Sequence, residues 1–160
     1  IMAVKVKICG ITNPEDATWV ANLGGHYVGM NFSAQSPRKI SVAMAKKIVE
    51  KIPPFVVPVG VFVESSVAEV VKTAQKVGLK GIQLHGEQTP EDCQAVKDGS
   101  GGAFVMRAIR LAEAEDVEKL GPFAEACDQF LLDTHVEGQP GGTGQTFPWP
   151  WAKEAKKFPY

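Results

Sequence analysis

Cysteine is scarce in this chain and poorly placed for its two common structural tasks. The 160 residues hold three, Cys9, Cys93 and Cys127, an odd number without metal-ligand spacing, which argues against a disulfide frame or a zinc site and for reduced thiols in a cytoplasmic protein. His26, His85 and His135 lie on different segments and add no ligand cluster. A surplus of charge is also lacking. The formal net charge is −1 with a pI near 6.4, so the basic field that nucleic acid or an anionic membrane requires is missing, and neither is expected as a partner. No run approaches the roughly 20 apolar residues of a membrane span, and no secretory signal opens the chain. Ile1 stands ahead of Met2, which reads as a tag remnant and not as a natural start. Two phosphate-binding signatures are missing as well, the "GK[ST]" ending of the nucleotide-hydrolase loop and the "GxGxxG" dinucleotide fingerprint.

What is present is a repeating pattern. With 44% hydrophobic and 22% charged residues the chain can bury a core, and residues 1–160 are expected to form one domain. Short β-branched runs alternate with longer amphipathic segments, the pattern of βα units around a parallel sheet. The strands are "AVKVKI", "YVGMNF", "FVVPVGVF", "GIQL", "AFVMRAI" and "QFLLD". Helices are expected after Thr12 or Asn13 with Pro14 in the first turn, over Val42 to about Lys51, up to about Gly78, after Thr89 and Pro90, through "EAEDVEKL", and from "WPWAKEAKK". Six βα steps at about 25-residue intervals fit either an open α/β sheet or part of a (β/α)₈ barrel. Both folds place their sites at the C-terminal ends of the strands.

Those ends carry Cys9, the "SPR" loop with Arg38, Phe62 and Val63, His85, the stretch Arg107 to Arg110, and Asp133. A thiol, a guanidinium, an imidazole and a carboxylate on one face suit a small anionic substrate and proton transfer. Each has a plainer reading. Cys9 is either a small packed thiol or a thiolate base. Asp133 is either a loop-capping carboxylate or an acid whose proton is held by burial. Arg38 is either a solvated surface residue or a bidentate carboxylate clamp, stiffened by Pro37. His85 is either a structural hydrogen-bonding residue or a contact that shapes the site. "PGGTG", with Gly142, Thr143 and Gly144, is either a hinged lid or a backbone nest for an anion, the lid being preferred for so long a loop. Cys93 and Cys127 fall away from the strand ends and read as packed thiols, and Asp128, at the opposite end of the sixth strand, reads as structural.

"KICGIT", "SPR", "VGVF", "IQLHGE" and "LLDT…GGTGQTF.W", in this order and spacing, resemble the phosphoribosylanthranilate isomerase family over essentially the whole chain. The resemblance implies a (β/α)₈ TIM barrel of which this chain covers about six βα units. It further implies an Amadori rearrangement of N-(5-phosphoribosyl)anthranilate in tryptophan biosynthesis, without cofactor or metal, in a monomer or homodimer. On the matching positions it makes Cys9 the general base, Asp133 the general acid and Arg38 the contact to the anthranilate carboxylate. His85, Gly142, Thr143 and Gly144 are expected on the phosphosugar substrate.

The chain departs from the family pattern in its sixth loop, where Gln145 and Pro148 stand in place of a lysine and an aspartate that are often found there. The family also continues beyond the position of Tyr160 with the loops that hold the substrate phosphate, so about two further βα units are expected, and the first and sixth strands should not pair. The rival expectation is a catalytically silent barrel fragment or binding module that lacks the phosphate site. Indole-glycerol-phosphate synthase is disfavoured, since it needs catalytic lysines where this chain has Cys9 and Gln83.

Overall fold

A computed structural model describes residues 4–134 and 146–158. Six parallel strands form one sheet in the order in which they occur along the chain: β1 (Lys7–Cys9), β2 (Tyr27–Asn31), β3 (Val57–Phe62), β4 (Gly81–Leu84), β5 (Phe104–Leu111) and β6 (Gln129–Thr134). A doubly wound sheet reverses its strand order at a switch point, whereas an uninterrupted sequence of parallel neighbours is a barrel wall. That decides between the two architectures left open by periodicity. As expected, β1 and β6 do not pair; they are the two edges of the sheet among the described residues.

Local sequence sets the helix starts. α1 (Pro14–Asn22) follows Asn13, whose side chain accepts the Asp16 amide N–H at 2.8 Å, and proline at the first position carries no N–H to leave unpaired. α2 (Val42–Lys51) is capped by Ser41. α3 (Val67–Val77) and α4 (Pro90–Gly99) open with reciprocal capping boxes, Ser66 with Glu69 and Thr89 with Asp92. The segment after β5, expected to be an α-helix, is instead a 3₁₀ run over Ala114–Phe123. Two features explain the difference. Pro122 lacks an amide hydrogen and would clash with the preceding turn of an α-helix. Asp116 folds its carboxylate back onto the amides of Ala112 and Glu113, at 2.6 and 3.2 Å, and pairs with Lys119 at 2.6 Å. α5 (Trp149–Glu154) contines into a short 3₁₀ turn, Ala155–Lys157.

The main core lies between the sheet and its helices, with Val28, Met30, Ile48, Val70, Ile82, Val96 and Val105 buried. β3 and β4 are covered on both faces, which explains why their sequences read as continuous apolar runs and not as alternation. A second cluster of Ile109, Leu111, Val117, Leu120 and Ala155 anchors α5, with Phe147, Trp151 and Phe158 against it. Trp151 stacks on Phe147, while Trp149 stays exposed. The β1 edge is the least covered part of the sheet: Val6 and Ile8 are about half exposed, and Trp19 and Leu23 of the α1 region lie open beside them.

Candidate active site

Every strand of a parallel sheet delivers its C-terminal end to the same side, so residues far apart in sequence converge there. Cys9, Arg38, Gln83, His85, Leu131 and Asp133 line one cavity of about 440 Å³, with Asn31, Ser33 and Pro37. A second cavity of about 450 Å³ is bounded by Lys5, Lys7, Tyr27, Met106 and Gln129, and it shares Cys9, Gln83 and Leu131 with the first.

Cys9 is the last residue of β1 and is an exposed residue with a free thiol. The chain turns immediately afterwards at Gly10, whose φ of +86° is costly for any side-chain-bearing residue. The amides of Gly10 and Ile11 both donate to the carbonyl of Gly29, at 2.8 and 3.0 Å, which ties the turn to β2. Gly29 leaves the space the thiol needs, because a Cβ there would lie 2.9 Å from Cys9 Sγ.

Arg38 is positioned by its loop and is not free in solvent. Its amide donates to Ser36 Oγ at 3.1 Å, and its Nη1 donates to the Cys9 carbonyl at 3.0 Å. The guanidinium lies over Gly10, where a Cβ would approach Nη1 to 2.4 Å. One N–H of the fork is engaged, and the group is held within one residue of the thiol.

His85 follows β4 and accepts a hydrogen bond at Nε2 from Arg110 Nε at 3.1 Å. Burial pushes its pKa down, the Arg110 cation adds to that, and Asp133 works in the opposite direction. A neutral imidazole is favoured, with the ring acting as acceptor toward β5. Asp133 sits opposite Arg110 in the β5–β6 register. It is half-buried, and its Oδ1 accepts the amide of Thr134 at 2.9 Å. That local bond is what a loop-closing aspartate makes, and Asp133 also lines the cavity.

The sequence placed the stretch Arg107 to Arg110 at this face, and the structure splits it. Arg107 is buried on the other side of β5, where it donates to the carbonyls of Leu84 and Gly86 and to Gln88 Oε1, with its guanidinium 4.9 Å from the Phe123 ring centre. Cys93 and Cys127 are both buried beside it. Asp128 is structural, accepting the Val105 amide at 2.8 Å and pairing with Lys97 at 2.6 Å. Gly142, Thr143 and Gly144 lie outside the described residues. Lys7 is the cation nearest to Cys9 in the sequence, with its face left open there; it shares a face of β1 with Cys9 and donates across the interior to Gln83 Oε1 of β4. Among the described residues no group of His, Cys, Asp and Glu forms a metal-binding cluster.

A sequential parallel barrel wall that brings a thiol, a carboxylate, an imidazole and a guanidinium around one cavity at its C-terminal ends has the architecture in which (β/α)-barrel proteins build their sites. The family model described as N-(5'-phosphoribosyl)anthranilate (PRA) isomerase matches residues 6–158. The isomerase of Pseudomonas syringae pv. tomato is 41% identical over 153 residues, covering 92% of this chain and 69% of that protein. The crystal structure of phosphoribosyl anthranilate isomerase from Thermotoga maritima superposes with a TM-score of 0.88 at 35% identity, over 99% of this chain and 74% of that one. A second solved isomerase, in complex with reduced 1-(o-carboxyphenylamino)-1-deoxyribulose 5-phosphate, gives a TM-score of 0.76 at 38% identity, over 83% and 66% of the two chains. The chain belongs to the phosphoribosylanthranilate isomerase family, with its (β/α)₈ TIM-barrel fold, of which the described residues form about six units. It spans about two thirds of the length of the curated relatives it matches.

Proposed function

We propose that this chain performs the reaction of its family, the Amadori rearrangement of N-(5-phosphoribosyl)anthranilate to 1-(2-carboxyphenylamino)-1-deoxyribulose 5-phosphate in tryptophan biosynthesis. The observation that carries the reading is that Cys9 and Asp133, from the two edge strands, line one cavity with Arg38 and His85. Ring opening needs a proton on the ribose ring oxygen, and Asp133 takes the role of the acid that supplies it. The iminium so formed acidifies the proton on sugar C2. A thiolate at Cys9 removes it, and the resulting enolamine tautomerises to the ketone. Arg38 faces the anthranilate carboxylate with the part of its planar fork that the Cys9 carbonyl does not engage.

The substrate class is supported by the phosphosugar analogue bound in the related isomerase. No helix among the described residues is long and apolar enough to cross a membrane. A cytoplasmic setting suits the free thiols at Cys9, Cys93 and Cys127. The test is turnover of N-(5-phosphoribosyl)anthranilate by the purified protein, with the aminoketose product resolved by chromatography. Binding of the reduced product analogue without any conversion would instead support a catalytically silent binding module, in which the Thr134-bound carboxylate of Asp133 only closes its loop.

A further inference from the structure

A base that removes a carbon-bound proton must be ionised, and a thiol is ionised near neutral pH only beside a positive charge or dipole. We propose that Lys7 is the positioning residue for Cys9, its ammonium supplying from below the cation beside which the thiol becomes thiolate. The proposal rests on the reading of Cys9 as the base.

The geometry comes from β1 and β2. Residues i and i+2 of a strand share a face, and Lys7 and Cys9 both face the barrel interior, where they line the same cavity. Cys9 is paired in register with Gly29. A Cβ built on Gly29 would lie 2.9 Å from Cys9 Sγ and 3.2 Å from Lys7 Cε. The thiol and the end of the lysine stem thus border the same side-chain-sized gap. Lys7 is half-buried and fixed by its hydrogen bond to Gln83 on the far wall. It forms no ion pair with a carboxylate among the described residues. A desolvated ammonium without a carboxylate gains from a nearby thiolate, just as the thiolate gains from it. Burial lowers the pKa of Lys7, and interaction with Cys9 works against that lowering.

The other titratable and charged groups around the two cavities are Lys5, Tyr27, Arg38, His85 and Asp133, with Arg110 bound to His85. Arg38 is the competing cation, but the contact it makes is with the Cys9 carbonyl.

The test measures the rate of iodoacetamide alkylation of Cys9 against pH in the substrate-free protein, with Cys9→Ser as the background for the buried thiols. Lys7→Met should slow alkylation near pH 7 about tenfold and move the profile upward by about one pH unit. Lys7→Arg should restore most of the rate. Lys7→Gln keeps a donor toward Gln83 without the charge and should behave like Lys7→Met; it carries the comparison if Lys7→Met fails to fold. Profiles that coincide in the wild type, Lys7→Gln and Lys7→Met would overturn the proposal. Turnover is scored separately. A shifted alkylation profile with turnover indifferent to Cys9→Ser supports the coupling of Lys7 to Cys9 and removes only the base role.

Discussion

Arg38 Nη1 donates to the Cys9 carbonyl across the space that a side chain on Gly10 would occupy. The absent Cβ at Gly10 therefore serves two purposes, the left-handed turn that ends β1 and the seating of the Arg38 guanidinium, to which the proposed function gives the anthranilate carboxylate. In Gly10→Ala the backbone strain at positive φ should cost about 1–3 kcal/mol of stability, read from denaturant unfolding. Arg38 can swing away from the new methyl, so the larger effect should fall on substrate binding. KM should rise, as it should in Arg38→Ala, whereas Arg38→Lys should recover part of the loss. A Gly10→Ala protein with native KM would show that the observed seat of Arg38 is not the one used with substrate.

Cys9 and the two buried thiols should separate cleanly. With Cys9 as the proposed base, Cys9→Ser puts a much weaker one in its place and should lower kcat by orders of magnitude with little change in KM. Cys93→Ala and Cys127→Ala remove packed groups beside Arg107 and should change only stability, by about 1 kcal/mol each. Steady-state kinetics beside thermal melts decide this. Near-native kcat in Cys9→Ser would exclude the thiol as base.

For Asp133, the isosteric Asp133→Asn keeps an acceptor for the Thr134 amide and removes the carboxyl group on which the proposed acid role depends. Turnover should collapse while the melting temperature stays close to that of the wild type. Comparable turnover would mean that another group protonates the ring oxygen and that the carboxylate is a loop cap.

The six-step βα pattern was legible in the sequence because caps and prolines mark the helix starts. Asn13, Ser41, Ser66 and Thr89 each precede a helix that begins where their side chains accept an amide. The segment after β5 misled because its apolar spacing resembles a helix, while Pro122 and the inward fold of Asp116 act locally against α geometry. At the candidate site, strand-end position was enough to place Cys9, Asp133 and His85 around one cavity, since parallel strands all deliver their ends to one side. It could not tell inward from outward near the end of β5. Arg107 and Arg110 differ by an odd number of positions and so lie on opposite faces. One contacts His85, and the other is buried among the carbonyls of the β4–α4 connection. The contact from Lys7 to Gln83 joins strands that are not neighbours in the sheet, and no local signal encodes it.

Arg107 should be a stability determinant with an indirect effect on the site. It holds the carbonyls of Leu84 and Gly86, which flank His85. Arg107→Ala would leave buried acceptors without their donor, at a cost of about 2–3 kcal/mol, measured by urea denaturation. Arg107→Lys should recover little, because one ammonium cannot reach Leu84, Gly86 and Gln88 with the geometry of a planar fork.

His85 sets a pH dependence whose sign follows from its surroundings. Burial and the Arg110 cation lower its pKa in the folded protein, so the unfolded chain binds a proton at a higher pH than the native one does. The stability associated with the neutral ring is therefore complete above the unfolded value of roughly 6.5 and is lost progressively as pH falls through the depressed folded value. Urea midpoints taken between about pH 7.5 and 5.5, above the range in which ordinary carboxylates titrate, should decline with acidification in the wild type. In His85→Gln, which keeps an acceptor for Arg110 but cannot take up a proton, the decline should be shallower. Parallel slopes in the two proteins would mean that another group governs the acid limb. A steeper slope in the variant would mean that Asp133 outweighs Arg110 and that the ring is held protonated.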